Sequence, residues 1–347
     1  MTEDLSAPTN NPASQIALYS CRHGSLLHNP QDQTIGASLS EYGEWAEEEL
    51  FLLWHLIDRD HTVLDLGANV GTHALAFSRF VGPAGRVVAI DAHPVAFRLL
   101  TLNLLMNDVS GAIPICAVVS NTSGSRLVVL DTPQLQRNLG ATTFVGGNTP
   151  FCGELARGGV SVPVAVTTID ALNFDRCDLI KIDVEGMELE ALKGAEATLR
   201  RFTPVLYYEQ VYAANFGDIF LYLRGLGYVL YWHVARPFDR NNFKRATHNI
   251  FGVTREVNVL AVPPARKLPD AVLQLVCGPI ASANYEPPLA AVPFDGWALP
   301  ENAYAKLPAF QARMSPLVQA ILRGYKEAIS PSVPDRQQPG DALEISG

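Results

Sequence analysis

The most regular feature of the chain is a switch between short apolar runs and longer stretches whose apolar residues recur every three or four positions. Val63, Leu64 and Leu66 flank Asp65, and a small-residue turn from Gly67 to Gly71 leads to Ala74, Leu75 and Phe77 at helical spacing. This predicts a buried strand over 62–66 feeding a helix over 72–80. The alternation continues with a strand over 86–90 ending in Asp91, a helix over 95–106 and a strand over 113–119. In the second half it predicts a strand over 179–184, a helix over 187–202 and a strand over 205–208 ending at Glu209. A helix near 217–226, a strand over 228–233 and a final strand over 258–262 complete the set. Strands separated by helices need crossover connections, so the pattern predicts an α/β fold: a doubly wound, Rossmann-like sheet of seven strands, largely parallel, with the last strand antiparallel.

Outside that rhythm, residues 1–40 read as an N-terminal arm, loose to about residue 14, with short strands at Ile16–Tyr19 and Ser25–Leu27. SEYGEWAEEELFLLWHLI predicts a helix with Trp45, Leu50, Leu53, Trp54 and Ile57 on its apolar face. Glu44, Glu47, Glu48 and Glu49 lie near its start, where the helix dipole favours acids. The main domain is expected over 41–263. Within it, Leu127–Leu130 and Val162–Thr167 are further strand-like runs, and the glycine-rich 131–160 between them is a candidate lid or substrate loop. Residues 264–347 read as a Pro-rich extension with one helix at Leu317–Ile329, begun by Ser315-Pro316, and a mobile tail.

Composition narrows the function classes. No apolar run approaches the ~20 residues of a membrane span. The start of the chain lacks the basic and apolar parts of a secretion signal, so a cytoplasmic location is expected. A net charge of −9 works against nucleic-acid binding, and five cysteines without metal-ligand spacing are expected to be free thiols.

The turn after the first strand points to a cofactor. Dinucleotide sites use G-x-G-x-x-G, whose glycines let a helix N-terminus meet a pyrophosphate. Here the pattern is D-x-G-x-x-x-G, with Ala68 and Asn69 where a second glycine would stand. S-adenosylmethionine has no pyrophosphate and needs none. Asp91 lies 24 residues after Gly67, near the offset at which an acid reaches ribose hydroxyls. Nicotinamide cofactors share that requirement, so an oxidoreductase on the same fold, or a cofactor-binding scaffold without catalysis, stays open on these residues.

LIKIDVEGMELEALKGAEATL and the following PVLYYEQ, with EYGEWAEEE, VLDLGANVGTHAL and DAHP upstream, resemble the signature of the FkbM-type methyltransferase family. The resemblance runs from about residue 40 to about residue 263. It implies a class I methyltransferase fold, S-adenosylmethionine as donor, and O-methylation of a hydroxyl on a sugar, polyketide or other small metabolite. Carried over by position, Gly67, Ala68, Asn69 and Gly71 would line the methionine end, Asp91 would take the ribose, and Val118 to Ser120 would lie near the adenine. Asp65, Thr72, Ala92, His93 and Asp183 join these as cofactor-binding candidates. Asp91 stands where members often carry Glu, and its carboxylate still suits a ribose.

In a parallel sheet, ligands sit outside the carboxyl ends of the strands, where Asp65, Asp91, Asp183, Glu185 and Glu209 are all expected. Acids there suit a ligand bearing a sulfonium and an ammonium. Methyl transfer to an alcohol also needs a base within hydrogen-bond reach, which points to Asp183 or Glu185, with Glu209 orienting the acceptor. A divalent metal held by Asp183 and Glu209 is the less favoured variant. Lys181 reads as a paired structural lysine, His73 and His93 as structural, His233 and His248 as reserve bases, and Tyr212 as a residue facing the acceptor.

Overall fold

The structure, a computed structural model, describes residues 16–109, 111–130, 144–145, 160–293 and 296–307. Residues 1–15 of the N-terminal arm, nearly all of the candidate lid at 131–160, the helix at Leu317–Ile329, the tail and Cys152 lie outside the described residues.

The chain enters through a hairpin, β1 (Ala17–Cys21) and β2 (Gly24–His28), and two short helices, α1 (Ile35–Glu41) and α2 (Glu47–Trp54). The main sheet then begins with β3 (Thr62–Leu66), α3 (Thr72–Val81), β4 (Arg86–Asp91), α4 (Pro94–Met106) and β5 (Ala112–Cys116). After β6 (Val118–Val119), β7 (Gly124–Leu130), β8 (Phe144–Val145) and β9 (Val160–Thr167) it resumes at β10 (Leu179–Ile182). Helices α5 (Glu188–Lys193) and α6 (Glu196–Phe202), β11 (Val205–Glu209), α7 (Ala213–Gly225), β12 (Val229–Ala235), β13 (Glu256–Val262) and α8 (Asp270–Leu273) follow.

Seven strands form the main sheet in the order β12-β13-β11-β10-β3-β4-β5, with β13 antiparallel to both neighbours and every other pair parallel. The chain steps outward from β3 in one direction and returns on its other side at β10, so the strand order reverses between them. That switch point is where an open α/β sheet leaves a crevice for a ligand. Every residue of β3 and β10 is buried, as expected for central parallel strands covered on both faces. Leu64, Leu66, Ile180 and Ile182 pack on one face with Leu192, Leu199 and Phe216. Val63, Leu179 and Tyr207 pack on the other with Leu53, Phe77 and Phe80. Asp65 and Lys181 are register partners on this second face.

The structure departs from the sequence pattern in four places. The strand expected over 113–119 ends at Cys116, and Val118–Val119 pairs with β9 in a separate four-stranded sheet, β6-β9-β7-β8, that also takes both extra strand-like runs. Period alone cannot tell which sheet an apolar run joins. The helix expected over 187–202 is broken at Gly194, whose Cα lies against the Ser120 carbonyl so that any Cβ would overlap it. Asp170 then caps α6 by accepting the Ala197 and Thr198 N–H groups.

The helix after residue 41 starts only at Glu47, because Gly43 and Ala46 adopt left-handed conformations, with φ of 69° and 55°. Its four acids, expected at an ordinary helix start, are all buried. Glu44 takes Arg22, Glu47 takes His23 at 2.8 Å and the Tyr304 hydroxyl at 3.0 Å, and Glu48 takes Arg236. These pairs tie the N-terminal hairpin, α2, the segment after β12 and the C-terminal region together. Residues beyond 263 pack on the sheet as well, with Val272 and Leu307 in the core and Cys277 bridged to Trp232 through two 2.8 Å backbone hydrogen bonds. The four cysteines among the described residues are free. No helix among the described residues is long and apolar enough to cross a membrane.

Candidate active site

A cavity of about 180 Å³ opens at the carboxyl ends of β3, β4, β10 and β11. The turn after β3 forms one wall. Gly67 (φ 76°) and Asn69 (φ 49°) are left-handed, and the Gly67 and Ala68 N–H groups both reach back to the Ile90 carbonyl. Gly67 lies so close to Asp183 that a Cβ would overlap its carbonyl oxygen. The glycine therefore lets the two strand ends converge across the switch point. Gly71, also left-handed, precedes Thr72, the first residue of α3.

Asp91 ends β4 on the same wall. Its two carboxylate oxygens accept the N–H groups of Asn69 and His93, both at 2.8 Å, which locks the two turns together. Burial nevertheless raises its pKa to about 7. Asn69 faces the cavity, and its Oδ1 is buried with no hydrogen-bond partner.

The opposite wall is acidic. Glu185, in a left-handed conformation with φ 52°, lines the cavity together with Asp183 and Glu209. Burial, with Asp183 and Glu188 nearby, raises Glu185 to about 7. Glu185 does not cap the following helix, because the Gly186 N–H goes to Glu188 at 2.9 Å. Burial and the nearby Asp183 carboxylate push Glu209 well above the usual carboxyl range, so Glu209 holds its proton. Lys181 forms the floor, 3.1 Å from Asp183 and 3.6 Å from Asp65, and is the ion-paired lysine expected from its apolar neighbours.

Residues 65–230 match the family model described as Methyltransferase FkbM domain. The matched stretch, just under half of the chain, is similar to FkbM methyltransferase domains. Methyltransferase sdnD of Sordaria araneosa is 28% identical, over 39% of this chain and 60% of that protein. The chain thus spans about 60% of the length of this curated relative. Among solved structures, methyltransferase FkbM from Methylobacillus flagellatus KT is 19% identical with a TM-score of 0.37, covering 58% of this chain and 43% of its own. Precorrin-6y C5,15-methyltransferase from Geobacter metallireducens GS-15 is 13% identical with a TM-score of 0.37, covering 62% and 87%. At these scores the superpositions bear on no residue of the site.

Within the matched residues 65–230, Gly67, Asn69, Asp91, Asp183, Glu185 and Glu209 come together at the cavity. The other candidates stand elsewhere. Asp65 is fully buried behind Lys181, its oxygens without a hydrogen-bond partner, because its strand position points it into the sheet face and not beyond the strand end. Ala68 and Thr72 are buried at the turn, and the His93 ring caps α4 by accepting from Val95 and Ala96. Val118 packs with Val164, Val166 and Met187, and Ala92 and Val184 pack against this group, giving an apolar patch beside Asp91. Ser120 is fully buried next to Gly194 and does not line the cavity.

Neither reserve histidine lines the cavity. His233 is buried and bonds Tyr207 at 2.7 Å, while His248 is exposed. Tyr212 is 48% exposed and lies over Gly186, outside the cavity wall. Among the described residues, no group of three or more His, Cys, Asp or Glu is arranged to hold a metal ion.

The remaining wall comes from residues that the strand-end argument missed: Trp45 and Glu49 near the start of α2, His73 of α3, and Glu256 and Asn258 of β13. Four acids crowded into an otherwise apolar helix, and Glu256 opening an apolar strand, were the available signals. The acids at the site predict a pH response. Asp91 and Glu185 keep protons in the fold up to about 7 and Glu209 up to about 10, whereas carboxyls of the unfolded chain lose theirs near ~4. The buried His93 and His233, held down at about 4, add an opposing slope only below the ordinary histidine value of about 6.5. Above neutrality the fold therefore binds more protons than the unfolded chain, and stability falls as pH rises. The Tm of the ligand-free protein is expected to drop between about pH 7 and about pH 9, and Glu209→Gln to flatten that slope; a Tm that rises over this interval contradicts the assignment.

Proposed function

We propose that this chain is an S-adenosylmethionine-dependent O-methyltransferase that methylates a hydroxyl of a small molecule. The observation that carries the reading is the cavity at the switch point of an FkbM-like domain, with a glycine turn and Asp91 on one wall and Glu185 on the other. The donor set fits the cofactor. Asn69 Oδ1 is an unpaired buried acceptor for an ammonium, Asp91 suits ribose hydroxyls, the patch of Ala92, Val118, Val184 and Met187 suits an adenine face, and the acidic wall suits a sulfonium. When bound, S-adenosylmethionine supplies a methyl group activated by positively charged sulfur.

The chain's own residues would do the rest. Holding the acceptor oxygen in line supplies most of the acceleration, and Glu185 takes the proton the hydroxyl loses. A base works best when its pKa lies near the working pH, which favours Glu185 over Glu209, and Asp183 is ion-paired with Lys181. Glu209, carrying its proton, can donate to the acceptor and orient it.

Calorimetric titration with S-adenosylmethionine, S-adenosylhomocysteine and NAD tests the class. Binding of the two sulfur compounds, without NAD, is the expected outcome; NAD alone would indicate an oxidoreductase. Transfer of labelled methyl to acceptors that survives exhaustive EDTA treatment is expected, and a loss restored by Mg²⁺ would assign Asp183 and Glu209 to a metal.

A further inference from the structure

Part of the cavity wall is built by segments outside the matched residues 65–230: Trp45 and Glu49 come before them, Glu256 and Asn258 after. Glu49 is 5% exposed, accepts the Asn258 side-chain N–H at 3.1 Å, lies 3.7 Å from His73 Nε2, and lines the cavity together with Glu256. Burial and the neighbouring Glu49 carboxylate push Glu256 well above the usual carboxyl range.

The donors around this pair are largely committed. Asn258 gives its amide to Glu49, the Tyr207 hydroxyl pairs with His233, and Lys181, the one Lys or Arg among the described lining residues, pairs with Asp183 and Asp65. His73 Nε2, on a side chain only 7% exposed, lines the cavity without a hydrogen-bond partner. This end is rich in acceptors and negative charge, so its occupant must bring donors and positive charge. An ammonium has three N–H donors and no acceptor, and it can displace the Glu256 proton to solvent and stand beside the Trp45 ring. A phosphate or carboxylate would set a further negative charge against Glu49 and Glu256.

We propose that the methyl acceptor is a hydroxylated amine, an amino sugar being the simplest example, bound as its ammonium ion by Glu49 and Glu256 with a hydroxyl presented to Glu185. The proposal rests on the methyltransferase reading and adds the reason for its atom selectivity. An ammonium nitrogen has no lone pair, so holding the amine charged blocks N-methylation. At the hydroxyl, the O–H proton passes to Glu185 while the oxygen lone pair forms the O–CH₃ bond. The C–S bond breaks, its electron pair stays on sulfur, and the sulfonium becomes a neutral thioether.

The test uses the full chain loaded with S-adenosylhomocysteine and three matched hexoses, glucosamine, glucose and glucuronate, titrated by calorimetry. Glucosamine is expected to bind at least about tenfold more tightly than glucose, with glucuronate weakest, as one added ion pair at a desolvated site predicts. Glu256→Gln and, independently, Glu49→Gln are expected to erase most of that preference while leaving S-adenosylhomocysteine affinity within about twofold. The proposal is overturned if glucosamine shows no advantage over glucose in the native protein, or if both variants keep it. Failure of S-adenosylhomocysteine to bind at all would instead remove the methyltransferase reading, and this proposal with it.

Discussion

Glu185→Gln is expected to lower kcat by about 10²–10⁴-fold, the usual worth of a positioned general base, with little change in S-adenosylhomocysteine affinity. The substitution keeps the shape and the left-handed backbone of residue 185 and removes only its ability to take a proton. Glu185 caps nothing, since Glu188 accepts the Gly186 N–H, so the loss should appear in kcat and not in Tm. The native enzyme should show a rate that rises with pH through a limb near about 7, because the ionised carboxylate is the active form and burial with Asp183 and Glu188 places its pKa there. That limb should vanish from the residual activity of the variant. A variant with native turnover, or a native profile flat between about pH 6 and about pH 8, would remove Glu185 from the role.

Gly67→Ala is expected to abolish S-adenosylhomocysteine binding and to lower Tm strongly. A left-handed conformation at a non-glycine residue costs about 1–3 kcal/mol even without a clash. Here the added Cβ would also overlap the backbone carbonyl of Asp183, an atom fixed by the β3–β10 pairing. The Asp183 N–H bonds the Leu66 carbonyl at 3.0 Å, and the Gly67 and Ala68 N–H groups bond Ile90. Relief of the overlap must therefore part the strand ends that carry Asn69, Asp91 and Asp183. Gly71→Ala is the milder comparison, since its Cβ would meet a movable Leu100 side-chain carbon at 2.8 Å. Thermal melting and calorimetry on both variants check the ranking. Native-like ligand affinity in Gly67→Ala would show that close approach of β3 and β10 is not what shapes the site.

Much of the framework was legible because it depends on local periodicity. The seven strands of the main sheet, the helices between most of them and the antiparallel β13 follow from where apolar residues recur and where glycine or proline interrupts them. The turn at Gly67 and the acids Asp91, Asp183, Glu185 and Glu209 were legible for the same reason, since a residue at the carboxyl end of a parallel strand is carried to the ligand edge by topology alone. Asp65 shows the limit of that rule: two positions before Gly67 in the chain, it points into a sheet face and is spent on Lys181.

Contacts between segments distant in sequence were not legible. A short apolar run describes β7 and β9 as well as any strand of the main sheet, and only their pairing with each other shows that they form a second one. Glu44 and the three acids of α2 read as an ordinary helix start until the hairpin, the segment after β12 and the C-terminal region arrive with Arg22, His23, Arg236 and Tyr304 to bury Glu44, Glu47 and Glu48 in pairs. Glu49, the fourth, lies 209 residues from Asn258 along the chain, yet the two are hydrogen-bonded and share the wall of the cavity with Glu256. The chain's local pattern thus settles the sheet, the turn and the rim of acids, because those follow from neighbours in sequence. The charge state of those acids, and the second acidic wall that faces them, are decided by tertiary packing, because burial and the distance between charged groups exist only once the chain has folded.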